Sequence, residues 1–133
     1  MNISDKEFDQ IISQAMDEMP VEYIEKLDNV LITYENDPSP EQRIKLKLRC
    51  NEVLFGLYEG IPLTKRAQAT SVLSGNVMTM PDRITIFKNP IIQTSGNDII
   101  KFKKQVKHTL WHELAHYYGL GHDRIHAIER GEL

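Results

Sequence analysis

The amino-acid sequence predicts an α/β fold of the α+β type, in which a small β-sheet packs on an N-terminal helix and on a helix close to the C-terminus. Two helical patterns of apolar residues, one after Ser4 and one after Asp98, enclose short runs that are rich in β-branched residues. Apolar residues recur about every 3.6 positions on a helix and every two on a strand, so their spacing separates the two kinds of element.

The first helix is predicted from a capping box and a periodic apolar face. Ser4 and Glu7 have the Ser-x-x-Glu spacing in which each side chain bonds to the other residue's backbone N–H. Pro20 lacks the N–H that a helix interior needs, so the helix should end before it. The apolar positions between these limits recur at helical spacing: Phe8, Ile11, Ile12, Ala15 and Met19.

The other elements are predicted from local composition. Residues 30–34 and 54–60 form two apolar runs that favour strands, and residues 83–87 alternate at period two, which makes them the clearest strand. Residues 41–52 favour a short helix, residues 94–97 a loop, and residues 65–75 no particular element. Asp98 should start a long helix that runs to Tyr118.

Composition favours one globular domain over residues 1–133. The hydrophobic fraction of 41% and charged fraction of 26% are typical of such domains, and no apolar run approaches the roughly 20 residues that span a bilayer. We therefore expect no membrane partner. We also favour a monomer. The acidic start has no signal-peptide core, and the single cysteine, Cys50, excludes an internal disulfide, so we expect a cytoplasmic protein. The formal net charge of −3 argues against nucleic acid as a partner.

The late helix carries the motif His-Glu-x-x-His-x-x-Gly-x-x-His, and this motif predicts a zinc centre. Two histidines four residues apart lie on one helix face, so His112 and His116 can bind one metal ion. Glu113 lies beside them, where a carboxylate can act as a general base towards water. Gly119 allows a positive φ at the helix end, and the turn returns His122 as a third ligand. Three protein ligands leave one tetrahedral position open, as in catalytic zinc sites.

Five fixed positions at this spacing arise by chance on the order of once in 10⁴ to 10⁵ chains of this length. The alternative is an amphipathic helix with solvent-exposed histidines. Asp123 could also bind zinc, but the spacing favours His122, which leaves Asp123 as a possible outer-sphere partner that orients a ligand histidine or as a surface carboxylate.

The chain resembles the small bacterial zincin-like metallopeptidases, also called minimal metalloproteases. The resemblance extends over nearly the whole chain and includes residues 57–63, 81–87 and 109–116. It implies a minimal zincin-like fold with a small mixed sheet over the active-site helix, and a zinc peptidase activity. His112 and His116 match the helical ligands, Glu113 the general base and His122 the third ligand, which in many members is an aspartate. Metzincins place a methionine after the third ligand, and none follows Met80 here.

The expected function is therefore hydrolysis of a peptide or protein substrate with zinc as cofactor. One alternative is a zinc-binding module without hydrolytic activity, which would have no need of Glu113. Another is a zinc-dependent endoribonuclease, but the enzymes with this histidine spacing have glycine at the position of Glu113. The strand at 83–87 could form the rim of the cleft or be an ordinary core or edge strand. Candidates for an oxyanion donor are Tyr58, Tyr117, Arg124 and His126.

Two further features of the late helix have unremarkable interpretations. His108 lies one turn before His112 and could support the metal centre, although a solvent-exposed histidine is the simpler expectation. A basic run precedes it and is expected to form the solvated face of the helix: Lys101, Lys103, Lys104 and Lys107.

Overall fold

The computed structural model describes residues 2–49, 55–60 and 81–120, and the side chains of residues 46–49 are not described. Several predicted features lie outside these residues: Cys50, Arg124, His126, the loop region at 65–75, and the candidate ligands His122 and Asp123. The elements in chain order are α1 (Asp5–Asp17), α2 (Val21–Glu25), β1 (Val30–Glu35), α3 (Pro40–Arg49), β2 (Gly56–Glu59), β3 (Asp82–Phe87), α4 (Lys88–Ser95) and α5 (Ile99–Tyr118).

The predicted fold class is confirmed, because helices surround a three-stranded mixed sheet. The strand order is β1-β3-β2, with β1 parallel and β2 antiparallel to β3. The register pairs Ile32 with Ile84 on one side of β3 and Tyr58 with Ile84 on the other. The sheet packs against α5 and shares one hydrophobic core with α1 and α5.

The core explains why α1 and α5 lie side by side. Phe8 of α1 and Phe102 of α5 are fully buried, and their ring centroids are 5.9 Å apart. Phe8 also packs on Tyr34 of β1 at 5.1 Å, which joins the sheet to both helices. Burial of large aromatic side chains contributes strongly to domain stability, so this cluster holds α5 in place from its N-terminal half.

Cap geometry agrees with the predicted start of α1. The Ser4 hydroxyl accepts a hydrogen bond from the Glu7 backbone N–H at 3.1 Å, and the Ser4 hydroxyl lies 3.3 Å from the Glu7 carboxylate. The helix ends at Asp17, and Pro20 then serves as the N-cap of α2, a five-residue helix that the sequence did not indicate. A proline is tolerated at a helix start, because that N–H has no intrahelical partner there.

One prediction from sequence was wrong, and the structure decides between the alternatives for residues 83–87. Residues 94 and 95 were expected in a loop, but they form the last turn of α4, and the chain turns at Gly96 with φ 63°. The strand at 83–87 was expected to be either a rim of the cleft or an ordinary core or edge strand. It is the central strand, because β1 and β2 occupy its two edges and use its backbone hydrogen bonds. A peptide therefore has no free edge of β3 to join.

Among the described residues, no helix is long and apolar enough to cross a membrane.

Candidate metal centre on the C-terminal helix

Helix α5, which carries the candidate ligands, begins with a side-chain N-cap. Asp98 is the N-cap, and its carboxylate accepts hydrogen bonds from the backbone N–H groups of Ile100 at 2.9 Å and Lys101 at 3.3 Å. Such a cap gives hydrogen-bond acceptors to N–H groups that otherwise lack a partner. Its negative charge also interacts favourably with the positive end of the helix dipole. The helix then buries an apolar face on the sheet and α1, which leaves His112 and His116 half-buried at its margin.

The two helical histidines meet at their Nε2 atoms. Nε2 of His112 and Nε2 of His116 are 3.2 Å apart, and the ring centroids are 4.8 Å apart. Two nitrogens that each lie about 2.0–2.1 Å from one zinc at a tetrahedral angle are about 3.3 Å apart. The observed separation therefore fits two ligands of a single tetrahedral metal ion, and the donor type suits zinc.

Glu113 lies next to this pair but faces the sheet. Its side chain is buried, with 7% of its surface exposed, whereas acidic residues are rarely buried in folded proteins. Its neighbour across the interface is Gly56, the first residue of β2, where a side chain would come within 3.4 Å of the Glu113 Cγ. The close approach of β2 to α5 thus restricts the rotamers of the Glu113 carboxylate.

Gly56 is required for this close approach. A Cβ at position 56 would lie 2.7 Å from Cγ2 of Thr109 and 3.1 Å from the carbonyl oxygen of Thr85. Real Cβ atoms do not tolerate the first of these contacts, so the Thr109 side chain, β2 or α5 must shift. Because Thr109 is one turn before Glu113 on the same face, such a shift moves the carboxylate.

We predict that Gly56→Ala lowers the free energy of unfolding by about 1–3 kcal/mol, because overpacking strains a well-packed interface. Urea unfolding followed by circular dichroism measures this change. The double variant Gly56→Ala/Thr109→Ser removes the clashing methyl group but keeps the hydroxyl that accepts a hydrogen bond from Gln105 at 3.1 Å. It should recover part of the loss, whereas a single Gly56→Ala variant as stable as the wild type would contradict this account.

Gly119 ends the helix with the geometry that the motif predicts. Its φ is 75° and ψ 26°, which is the left-handed region that glycine enters at low cost. The Gly119 N–H bonds to the His116 carbonyl and the Leu120 N–H to the Ala115 carbonyl, both at 3.0 Å. These two bonds are the pattern of a Schellman motif. The helix therefore ends at Gly119, three residues after His116, as the motif requires if a later residue is to return to the metal.

The last turn of α5 is also tied to α2 and to the segment before β1. The Tyr117 hydroxyl accepts a hydrogen bond from the Asp28 N–H at 3.1 Å, and the Tyr118 hydroxyl donates to the Tyr23 carbonyl. Burial raises the pKa of Tyr118 from 10.0 to about 12, and the neighbouring phenols of Tyr117 and Tyr23 add to this rise, so the hydroxyl keeps its proton. Tyr23 packs edge-on against Trp111 at 5.1 Å. These contacts fix the position of the C-terminal turns of α5, which carry His112 and His116.

The two described candidates for an oxyanion donor are held elsewhere. Tyr58 and Tyr117 are both fully buried, and their rings pack edge-on at 6.2 Å. The Tyr58 hydroxyl donates a hydrogen bond to the buried Asp82 carboxylate at 2.7 Å, while the Tyr117 hydroxyl lies on the Asp28 backbone. Both hydroxyls therefore serve the core rather than an open cleft.

No group of three potential metal ligands occurs within residues 2–49, 55–60 and 81–120. The last described residue is Leu120, two residues before His122 and three before Asp123. The structure therefore brings together two of the predicted ligands and the predicted base, and the identity of the third ligand stays a prediction.

A comparison with protein families matches residues 27–132 to the zincin-like metallopeptidase model. This match spans most of the chain and includes the sheet, α5 and the whole histidine motif. The chain belongs to the zincin-like metallopeptidase family. A search of curated proteins finds no match.

Membership of the zincin-like metallopeptidases implies zinc binding and peptidase activity on peptide or protein substrates. The structure supplies an independent reason to expect the metal, since the imidazole pair has the spacing of two zinc ligands.

Proposed function

We propose that this zincin-like metallopeptidase hydrolyses peptide bonds at a zinc centre held by His112, His116 and His122. The observation that carries the proposal is the 3.2 Å separation of the two Nε2 atoms beside a buried carboxylate. When bound, zinc supplies a Lewis acid that polarises a carbonyl oxygen and lowers the pKa of a water molecule to about 7. A structural zinc site would need no base at its side.

Glu113 is the proposed general base. Its carboxylate takes a proton from the attacking water and passes it to the nitrogen of the leaving amine, so one side chain serves both transfers. Its burial beside β2 limits its motion, which keeps the carboxylate oriented between successive steps. Asp123 is proposed to accept the Nδ1–H of a ligand histidine and so to fix its tautomer.

The proposal treats residues 1–133 as one domain, including α1, which lies outside the matched region. The contact between Phe8 and Phe102 supports this, because α1 completes the core on which α5 rests. We also propose that the protein is a cytoplasmic monomer without a nucleic-acid partner.

The decisive experiment combines metal analysis with a cleavage assay. Purified protein is expected to contain about one zinc per chain. It should cleave members of a peptide library, with activity abolished by a chelator and restored by added zinc. Zinc-loaded protein that cleaves no peptide would refute the proposal.

Removal of zinc should destabilise the protein without unfolding it. The core between α1, the sheet and α5 is apolar and extends well beyond the histidine pair, so it does not depend on the metal. A ligand present at 100 times its dissociation constant stabilises the native state by about 2.7 kcal/mol. We therefore expect chelation to lower the Tm by about 10 °C while the far-ultraviolet circular dichroism spectrum persists. Complete loss of that spectrum on chelation would show that the fold requires the metal.

A further inference from the structure

A cavity of about 320 Å³ lies between the end of α4 and the first half of α5. Its size is at the lower limit of ordinary ligand pockets, so it suits a side chain or small group better than a large molecule. Six residues line it: Thr94, Ser95, Lys101, Lys104, Gln105 and His108.

Among the described residues, the lining of the cavity is basic and has no acidic member. The amines of Lys101 and Lys104 form no ion pair with any described residue, whereas the nearby Lys107 pairs with Glu18 at 3.3 Å. The chain as a whole carries a formal net charge of −3, so this concentration of cations is a local exception. The cavity is open to solvent, and Lys101 and Lys104 are exposed at its edge. Two like charges beside one depression favour an anionic ligand.

The cavity lies along the same stripe of α5 as the metal centre. Lys101, Gln105, His108 and His112 follow one another at intervals of four, three and four residues, which places them on one helix face. At 1.5 Å per residue, the cavity residues of α5 lie about 6 to 16 Å from His112 along the helix axis. An extended peptide covers that distance with roughly two to five residues.

We propose that this cavity binds an acidic side chain of the peptide substrate, two to five residues from the bond that is cleaved. The inference rests on the proposed peptidase function and adds a substrate class to it, namely peptides with a glutamate or aspartate at this distance. Lys101 and Lys104 provide the charge, and the hydroxyls of Thr94 and Ser95 are further donors at the cavity wall. The cavity thus selects substrates, while His112, Glu113 and His116 perform the hydrolysis.

The test uses peptide pairs that differ only by Glu or Gln at one position, placed in turn two to five residues on either side of the central bond. Binding is measured by fluorescence anisotropy with a reduced, non-hydrolysable central bond, and cleavage is measured as kcat/KM on the ordinary peptides. At one position the zinc-loaded protein should bind the Glu peptide about three- to tenfold more tightly than the Gln peptide. The preference should decrease with added salt.

Two double variants with the same charge change separate the cavity from the general charge of α5. Lys101→Ala/Lys104→Ala should remove the preference for the Glu peptide, with the Gln peptide bound as before. Lys103→Ala/Lys107→Ala, which changes two lysines outside the cavity lining, should keep it.

Equal loss in both variants, or no preference in the wild type at any position, would overturn the proposal. Cleavage without a Glu preference would reject only the cavity assignment. Preferential binding without cleavage would reject the peptidase function and leave the cavity assignment standing.

Discussion

Substitution of Glu113 by alanine should abolish hydrolysis while leaving the zinc content unchanged. A general base contributes about 10²- to 10⁴-fold to a rate, so we expect kcat/KM to fall by that factor. Zinc should remain, because the Nε2 atoms of His112 and His116 already have the separation of two zinc ligands and Glu113 is proposed as a base rather than a ligand. Metal analysis and peptide cleavage on the same preparation measure both effects.

Glu113→Gln is the matched control for this experiment, because the side chain is buried against Gly56 and its volume matters for packing. The amide preserves the shape and removes the basicity, so it should lose activity as fully as alanine and remain closer to the wild type in stability. A variant that cleaves at the wild-type rate would exclude Glu113 as the base. Loss of zinc in both variants would instead identify it as a ligand.

His122→Ala should weaken zinc binding severely, whereas Asp123→Ala should reduce affinity or activity by about 10- to 100-fold at most. The physical reason is the turn at Gly119, where the helix ends three residues after His116. Six residues after His116 is the spacing at which this turn returns a side chain to the metal, and adjacent residues point in different directions. One of the two can therefore bind zinc directly without distortion.

Titration of both variants with zinc against a competing chelator distinguishes the two positions. Weak binding by His122→Ala together with near-normal binding by Asp123→Ala would support the assignment. The reverse result would make Asp123 the third ligand, and His122 would then take the supporting position.

The pattern of apolar residues was sufficient to predict most of the regular elements, because local periodicity and capping depend on neighbours in sequence. Ser4 and Asp98 cap α1 and α5 as predicted, and Gly119 has the positive φ that its position indicated. Helices α2 and α4 were missed for a different reason. They are short and have weak periodicity, and α2 is tied to α5 by Tyr118 and Trp111, residues about 90 positions away.

The candidate ligands and base follow from the sequence alone, because a spacing of four residues on a helix determines that His112 and His116 share a face, with Glu113 beside them. Their surroundings depend on tertiary packing. Only the folded chain brings Gly56 against Glu113, encloses the hydroxyls of Tyr58 and Tyr117, and makes β3 the central strand. Lys101 and Lys104 are exposed, as the sequence predicted, and tertiary packing also places them beside α4 at the edge of a cavity. These contacts join residues far apart in the chain, and no local pattern of spacing or charge encodes which of them will meet.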